Sequence, residues 1–327
     1  MSAQPLQLGK LLLDSPCILA PLAGITSFPF RMLNRQFGCR FTFTEMIDVM
    51  SLNYNSKKTM EMLRTSKADR PLGIQLLGND IDYMRRAIDI LQNFDFDILD
   101  LNAACPQRKV TSKEKGASLL KTPQKLNALL KTMVKYSPVP VTVKIRLGWD
   151  SAANVRDIAL CVQDAGVCAI IVHGRTKVQM YGGKVDYASI KTVKDSVAIP
   201  VIGSGDIFSV QMAQKMFDET GVDGVAVARG ALGNPWIFRE LNEFLTKGTI
   251  PSRPHIDEIV RIMRIHLDMF IDMFGEQRSV VRFRSHFIWY TKGFSHVKVL
   301  RGKISKVKTK ANLLKVIDEF GSVASFS

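Results

Sequence analysis

Long apolar runs are missing from this chain. No stretch approaches the 18 or so consecutive apolar residues of a membrane-spanning helix, so none is expected. The opening MSAQPLQLGKLLLDSPC has no basic segment followed by an apolar core and a small-residue cleavage site. A secretory leader is therefore not expected, and the cytoplasm is the expected location. Cysteine is scarce: five in 327 residues, an odd number without paired spacing. That speaks against a disulfide framework and offers no zinc-ligand pattern, so no metal is expected. Acidic residues are in deficit, 30 against 45 Lys plus Arg, for a formal charge of +15. Such an excess favours a polyanionic partner, nucleic acid or an anionic membrane surface. The deficit is local: between Arg278 and Lys315 stand eleven basic residues and no acidic one.

What is present is a globular composition, 46% apolar and 23% charged. At roughly 100–200 residues per domain, the length suits one large domain plus a smaller one, or two similar ones. Short apolar runs at 17–22, 41–45, 72–76, 98–102, 141–145, 169–173, 200–204 and 224–228 alternate with helical patterns such as 81–91, 124–136, 155–165 and 210–217. Near-continuous apolar strands between helices signal a parallel sheet buried on both faces. Eight such units predict an α/β fold of the (β/α)8 TIM-barrel kind; a doubly wound sheet would accommodate the alternation with fewer strands. Residues 246–255, TKGTIPSRPH, read as a linker. Beyond it, 256–274, 279–290 and 310–320 are helical in pattern. A barrel domain over 1–248 is thus expected to carry an all-α, basic domain over 249–327.

In such barrels the chemistry sits at the C-terminal strand ends. Polar residues fall there in turn: Glu45, Gln75, Asn102 followed by Cys105, Lys144, His173 with Arg175, Ser204-Gly205-Asp206, and Arg229. A series of this kind is costly to bury without a purpose. The last two loops join glycines, helix N-termini and Arg229, a phosphate site where barrels commonly bind one. Lys144 can be a Schiff-base lysine, a cofactor's charge partner or a surface lysine. Cys105 stands on a loop among Arg108, Lys109, Lys113 and Lys115, and nearby cations can lower a thiol pKa. Cys17, Cys161 and Cys168 lie in apolar runs and read as core residues.

Several ordered motifs resemble the tRNA-dihydrouridine synthases over about residues 10–320. They are Ala20-Pro21-Leu22-Ala23-Gly24-Ile25-Thr26, Asn102 with Cys105-Pro106 and Lys109-Val110, His173-Gly174-Arg175-Thr176, and Gly230-Ala231-Leu232-Gly233-Asn234-Pro235-Trp236. Phe283, Phe287, Trp289, Tyr290, Lys292 and Gly293 are similar to that family's helical domain. The resemblance implies an FMN-bearing barrel joined to an RNA-binding helical domain, which reduces the C5–C6 bond of uridine in tRNA while NADPH reloads the flavin. It implies that Pro21, Leu22 and Ala23 line the isoalloxazine, Gln75 bonds its edge and Lys144 faces its N1/O2 side with His173 nearby. Ser204, Gly205, Asp206, Ala228 and Arg229 would hold the ribityl phosphate. Cys105 would protonate C5 after hydride reaches C6, and Asn102 would orient the uracil.

RNA contacts are expected from Arg175, Arg282, Arg284, Lys292, Lys298, Arg301, Lys303, Lys306, Lys308 and Lys310, in a monomer. This chain departs from the family's pattern at Ser27, at Ala104 before the cysteine, at Ser204 of the phosphate loop and in the charged loop 111–116. The same reaction on another RNA such as rRNA, a flavin barrel acting on a free pyrimidine, and RNA binding without redox chemistry are the alternatives. A Schiff-base aldolase using Lys144 explains neither Cys105 nor the basic tail.

Overall fold

The structure, a computed structural model, describes residues 4–323. Its strands are β1 Leu6–Leu8, β2 Leu11–Leu13, β3 Cys17–Leu19, β4 Phe41–Phe43, β5 Ile47–Asp48, β6 Leu72–Leu77, β7 Ile98–Ala103, β8 Val141–Arg146, β9 Ala169–His173, β10 Val201–Ser204 and β11 Gly224–Val227. Eight of them close a parallel barrel in the order β3, β4, β6, β7, β8, β9, β10, β11 and back to β3. The chain is a TIM barrel followed by helices, as the alternation predicts. Every residue of β6, β7 and β8 is buried, as expected of strands covered on both faces.

Several of the helices between strands start where a side chain caps them. Asp80 accepts from the Tyr83 N–H at helix Ile81–Leu91, and Ser209 from the Met212 N–H at helix Val210–Thr220. Two features escape the strand–helix alternation. β1 and β2 form an antiparallel hairpin whose Leu6, Leu8 and Leu13 join Ile18, Phe41, Ile98, Ile171 and Ile202 in one buried cluster, closing the end opposite the mouth. The two-residue β5 extends the sheet along β6.

Residues 248–255 carry no helix or strand. Helices Ile256–Phe274, Glu276–Tyr290, Lys298–Ile304 and Lys310–Val323 follow, and Lys298–Ile304 is one that the sequence pattern does not single out. Met263, Leu267, Phe283, Phe287, Leu313 and Phe320 form their core, which is continuous with Leu33, Phe37 and Trp236 of the barrel side. Trp236 Nε1 donates to Glu258 at 2.7 Å. Gly233, at φ +67°, packs so closely that a Cβ there would lie 2.3 Å from the Trp289 backbone. The helices are therefore seated against the loop after β11, at the rim of the mouth. Among the described residues no helix is long and apolar enough to cross a membrane, and no group of acidic, His or Cys side chains could hold a metal ion.

Candidate active site

Parallel register builds the mouth. It sets Gln75 beside Asp100, Asn102 beside Lys144, Arg146 beside His173, and His173 beside Ser204. Asn102 Nδ2 donates to Gln75 Oε1 at 2.7 Å. Gln75 Nε2 donates to Asp100 Oδ2 at 2.7 Å, so one of its two amide hydrogens remains for a ligand. Asn102 Oδ1 accepts from the Cys105 N–H at 2.8 Å and the Ala104 N–H at 3.1 Å, which pins the cysteine loop to the end of β7.

In the mouth, two buried nitrogens lack partners among the described residues. Lys144 Nζ and His173 Nδ1 make no hydrogen bond. Burial pulls the Lys144 amine down to about 8, Arg146 pushes the same way, and Asp100 opposes. His173 is held far below its usual value by burial and then by the field of Lys144, Arg146, Arg175 and Arg229, so the ring is neutral. Orphaned buried donors cost about 1–3 kcal/mol or more apiece. An acceptor-rich, electron-poor ring edge placed there would satisfy both, and the residues present fit a flavin. Arg146 pairs with no acid among the described residues; it donates to the carbonyls of Ala104, Thr176 and Met180 at 2.7–2.9 Å and so ties the cysteine loop to the loop after β9.

Cys105 departs from the expectation of a lowered thiol. Burial raises it, against the Gln107 backbone N–H, Arg146 and Lys109, so it keeps its proton at neutral pH. A protonated thiol is the form that an acid needs. Cys17, Cys39 and Cys168 are pushed up to about 12 by burial and keep their protons at neutral pH. The charged loop after Cys105 is also fastened. Lys115 is buried and pairs with Asp48 at 2.6 Å, and Gly116, at φ +61°, approaches so closely that a Cβ would lie 2.8 Å from the Cys105 carbonyl oxygen. The first turn offers Pro21 and Leu22 half-buried and Ala23 exposed. The Gly24 N–H in it donates to Glu45 Oε2 at 2.5 Å.

The phosphate loops need a correction. Arg175 is 1% exposed. Its guanidinium donates to the carbonyls of Gly182 and Gly183 and to both Asp206 oxygens. It braces the loop from within and presents nothing to RNA. Asp206 also accepts from Arg229 at 2.7 Å, so its carboxylate orients Arg229 instead of holding a phosphate of like charge. Ser204 is buried with Oγ on the Ala226 carbonyl and Gly205 is buried beside it, leaving the half-buried Ala228 and the exposed Arg229 towards the surface.

The basic segment is corrected in part as well. Acids distant in sequence reach it: Lys303 pairs with Glu319 at 2.5 Å and Lys310 with Asp268 at 2.7 Å. Arg284 donates to the Val307 carbonyl and Arg301 to the Thr291 carbonyl. Lys292, Lys298, Lys306 and Lys308 are exposed without an acidic partner among the described residues. Arg282 lies 4.0 Å over the Phe274 ring and lines a cavity of about 420 Å³ with Ala23, Glu45, Lys58, Lys109 and Phe274. That cavity joins the barrel rim to the helices.

Asp100 and Arg146 are site residues that the strand-end reading passes over. Their signal is a charge within an apolar strand, two positions from Asn102 or Lys144 and hence on the same face.

The family described as dihydrouridine synthase (Dus) matches residues 18–324. The chain belongs to the dihydrouridine synthase family. It is 32% identical over 316 residues to the tRNA-dihydrouridine synthase B of Pasteurella multocida, covering 96% of this chain and 95% of that protein. To the probable tRNA-dihydrouridine synthase 1 of Synechocystis sp. it is 35% identical over 324 residues, 98% and 91% of the two chains. Among solved structures, histamine dehydrogenase from Rhizobium sp. 4-9 matches with a TM-score of 0.60 at 15% identity, over 81% of this chain and 50% of that one. The old yellow enzyme homologue from Zymomonas mobilis matches at 0.56 and 12%, over 79% and 96%. At those identities the structures show a shared barrel fold. As a dihydrouridine synthase family member, the chain is an oxidoreductase.

Proposed function

We propose that this dihydrouridine synthase reduces the C5–C6 double bond of specific uridines in tRNA to 5,6-dihydrouridine, with FMN bound in the barrel and NADPH as electron donor. The observation that carries the reading is a buried, partnerless Lys144 amine in the same mouth as a protonated Cys105. The residues 1–248 then form the catalytic part and 249–327 the RNA-binding part. A monomer in the cytoplasm would suffice.

Pro21, Leu22 and Ala23 would wall the flavin ring, the free Gln75 amide hydrogen its edge, and Lys144 with neutral His173 its N1/O2 side. Gly205, Ala228 and Arg229 would take the phosphate, with Asp206 orienting Arg229 and Ser204 supporting the loop from beneath. When bound, FMN supplies the hydride that adds to uracil C6. Cys105 holds the proton that C5 receives, and hydride plus proton complete the reduction. Asn102 retains one amide hydrogen for a uracil carbonyl while its oxygen holds the Cys105 loop in place.

A uracil must leave its stack to enter the mouth, at a cost of a few kcal/mol, least in a loop. Contacts of RNA phosphates with Arg282, Lys292, Lys298, Lys306 and Lys308 would offset it. Five such contacts imply a loss of affinity of about 10²–10³-fold between 50 and 200 mM salt. The test is the visible absorbance spectrum of the purified protein before and after anaerobic NADPH. A flavin spectrum that bleaches supports the reading; a colourless protein that cannot take up FMN overturns it.

A further inference from the structure

The cavity of about 420 Å³ between barrel rim and helices takes no part in the chemistry set out above, yet opposite charges face each other across it. Glu45, at the end of β4, lines it from the barrel wall and is only 7% exposed. Its Oε2 accepts the Gly24 N–H, and its Oε1 accepts no hydrogen bond among the described residues. Arg282, on helix Glu276–Tyr290, lines the cavity from the other wall. Its guanidinium lies over the Phe274 ring and donates to no acceptor among the described residues. Arg282 and Lys58 act on the Glu45 carboxyl through their charge alone, favouring its ionised form against burial.

An open carboxylate oxygen demands donors, and a free guanidinium demands acceptors. A ligand that satisfies both must carry the two on different edges. Guanine does so. Its N1–H and N2 amino group are adjacent donors for a carboxylate, and O6 and N7 are the adjacent acceptors that arginine grips with two N–H groups. Adenine sets an acceptor beside its amino group, and uracil flanks its one N–H with carbonyls, so either would turn a lone pair towards Glu45. Cytosine offers a carboxylate one amino group, again beside an acceptor. Met46 and Met62 supply apolar wall for the faces of a base. Lys58 and Lys109 are exposed at the edge and unpaired with acid among the described residues, which suits phosphates; Glu61 is taken up by Arg278. The cavity adjoins the mouth, for Ala23 lines it and Lys109 stands four residues beyond Cys105. An RNA strand whose uracil enters the mouth would bring a neighbouring nucleotide here.

We infer that this cavity is a guanine subsite: Glu45 and Arg282 read a guanosine close to the target uridine and so help to choose which uridine is reduced. For that choice of target the inference rests on the proposed reaction; the preference for guanine itself does not. Unstacked bases in RNA loops are commonly read in this way, along their polar edges. The bidentate contact uses two of the five N–H groups of Arg282 and leaves the others for a phosphate.

Free nucleotides test the cavity first. Equilibrium dialysis of the FMN-loaded protein should give a Kd for GMP at least about 5-fold below those for AMP and for IMP, which lacks the N2 amino group. In Glu45→Gln the side-chain oxygen stays on the Gly24 N–H and an NH2 turns to the cavity, so GMP should lose its advantage over IMP. Arg282→Lys keeps the charge without the fork and should weaken GMP and IMP alike. RNA tests the source of the guanine. Single-turnover reduction is measured below saturation on unmodified tRNA transcripts, with inosine replacing in turn each guanosine within about three nucleotides of the reduced uridine. One replacement should slow the wild type about 5–30-fold and Glu45→Gln by under about 2-fold. The wild-type comparison changes the RNA alone, so it decides even where Glu45→Gln fails to fold.

A sensitive guanosine in wild type carries the inference even where free GMP binds too weakly to measure. Equal sensitivity in Glu45→Gln would place the contact elsewhere and overturn it. A preference for GMP with every inosine replacement neutral would give the cavity to a free guanine nucleotide and overturn the RNA assignment. Neither a preference for GMP nor a sensitive guanosine would overturn the inference entirely, and slowed FMN reduction by NADPH in Glu45→Gln would then make the dinucleotide the occupant. A preference for GMP in a protein that never reduces RNA would overturn the proposed function and leave the guanine site standing.

Discussion

The barrel mouth and the helical region both concentrate polar and charged groups, but by opposite means. In the mouth, Asp100, Lys144, Arg146 and His173 are withdrawn from water, and each is shifted from its ordinary pKa by burial. In the helices the apolar side chains make the core, and Lys298, Lys306 and Lys308 stay in solvent, where no acid among the described residues pairs with them. Burial creates unmet demand for one particular ligand, whereas exposure creates a field that any polyanion feels. A changed residue in the mouth should therefore alter chemistry at constant RNA affinity, and a changed lysine on the helices should do the reverse.

The largest effect falls on Cys105. Cys105→Ala should keep its flavin spectrum and RNA affinity and lose about 10²–10⁴-fold in single-turnover dihydrouridine formation, the range of a general acid. Full activity in this variant would remove the cysteine from the mechanism.

Next is Lys144. Lys144→Met should weaken FMN binding about 10–100-fold by equilibrium dialysis. In the cofactor-free protein its effect on stability has a definite sign. The folded-state pKa is lowered from 10.5 to about 8, so between those values the unfolded chain binds the extra proton. Stability from this group therefore rises with pH across that window, by an amount of order 2–3 kcal/mol. The difference in Tm between Lys144→Met and wild type should shrink from pH 8 to pH 10.5. A constant difference would place the amine in water.

On the helical side, Lys298→Ala with Lys306→Ala and Lys308→Ala should lower the salt-dependence slope of RNA binding by about 2–3, without changing FMN reduction by NADPH. Lys303→Ala and Lys310→Ala should change that slope less, since Glu319 and Asp268 already face them.

Two smaller effects sharpen the contrast within the helices. Arg284→Ala deprives the Val307 carbonyl of its donors and should cost about 1–2 kcal/mol in denaturant unfolding, whereas Lys306→Ala should cost almost nothing. Glu61→Gln breaks an exposed pair with Arg278 at 2.8 Å that bridges barrel and helices, and should shift unfolding by under about 1 kcal/mol.

The eight barrel strands were legible because each is a short apolar run that no amphipathic helix would contain. Gln75, Asn102, Cys105, Lys144 and His173 were legible as a group because strand ends recur at the mouth. What stayed hidden depends on contacts between distant segments. Arg175 reads as an exposed cation beside His173, and nothing local shows that Asp206 and the Gly182–Gly183 carbonyls enclose it. The absence of acid between Arg278 and Lys315 is real along the chain, yet helix packing brings Asp268 and Glu319 alongside. The Cys105 thiol sits among cations in sequence and is raised all the same, because desolvation outweighs them. Leu6–Leu8 and Leu11–Leu13 are too short to separate from a loop by pattern, and only the open end of a barrel gives them something to cover.

The most direct measurement adds unmodified tRNA, without oxygen, to protein whose flavin has been bleached by a stoichiometric amount of NADPH. The account predicts that the oxidised flavin spectrum returns with one dihydrouridine formed per flavin, and that free uridine or DNA leaves the solution bleached. A flavin that stays reduced in the presence of tRNA, or that is reoxidised equally well by free uridine, would contradict it.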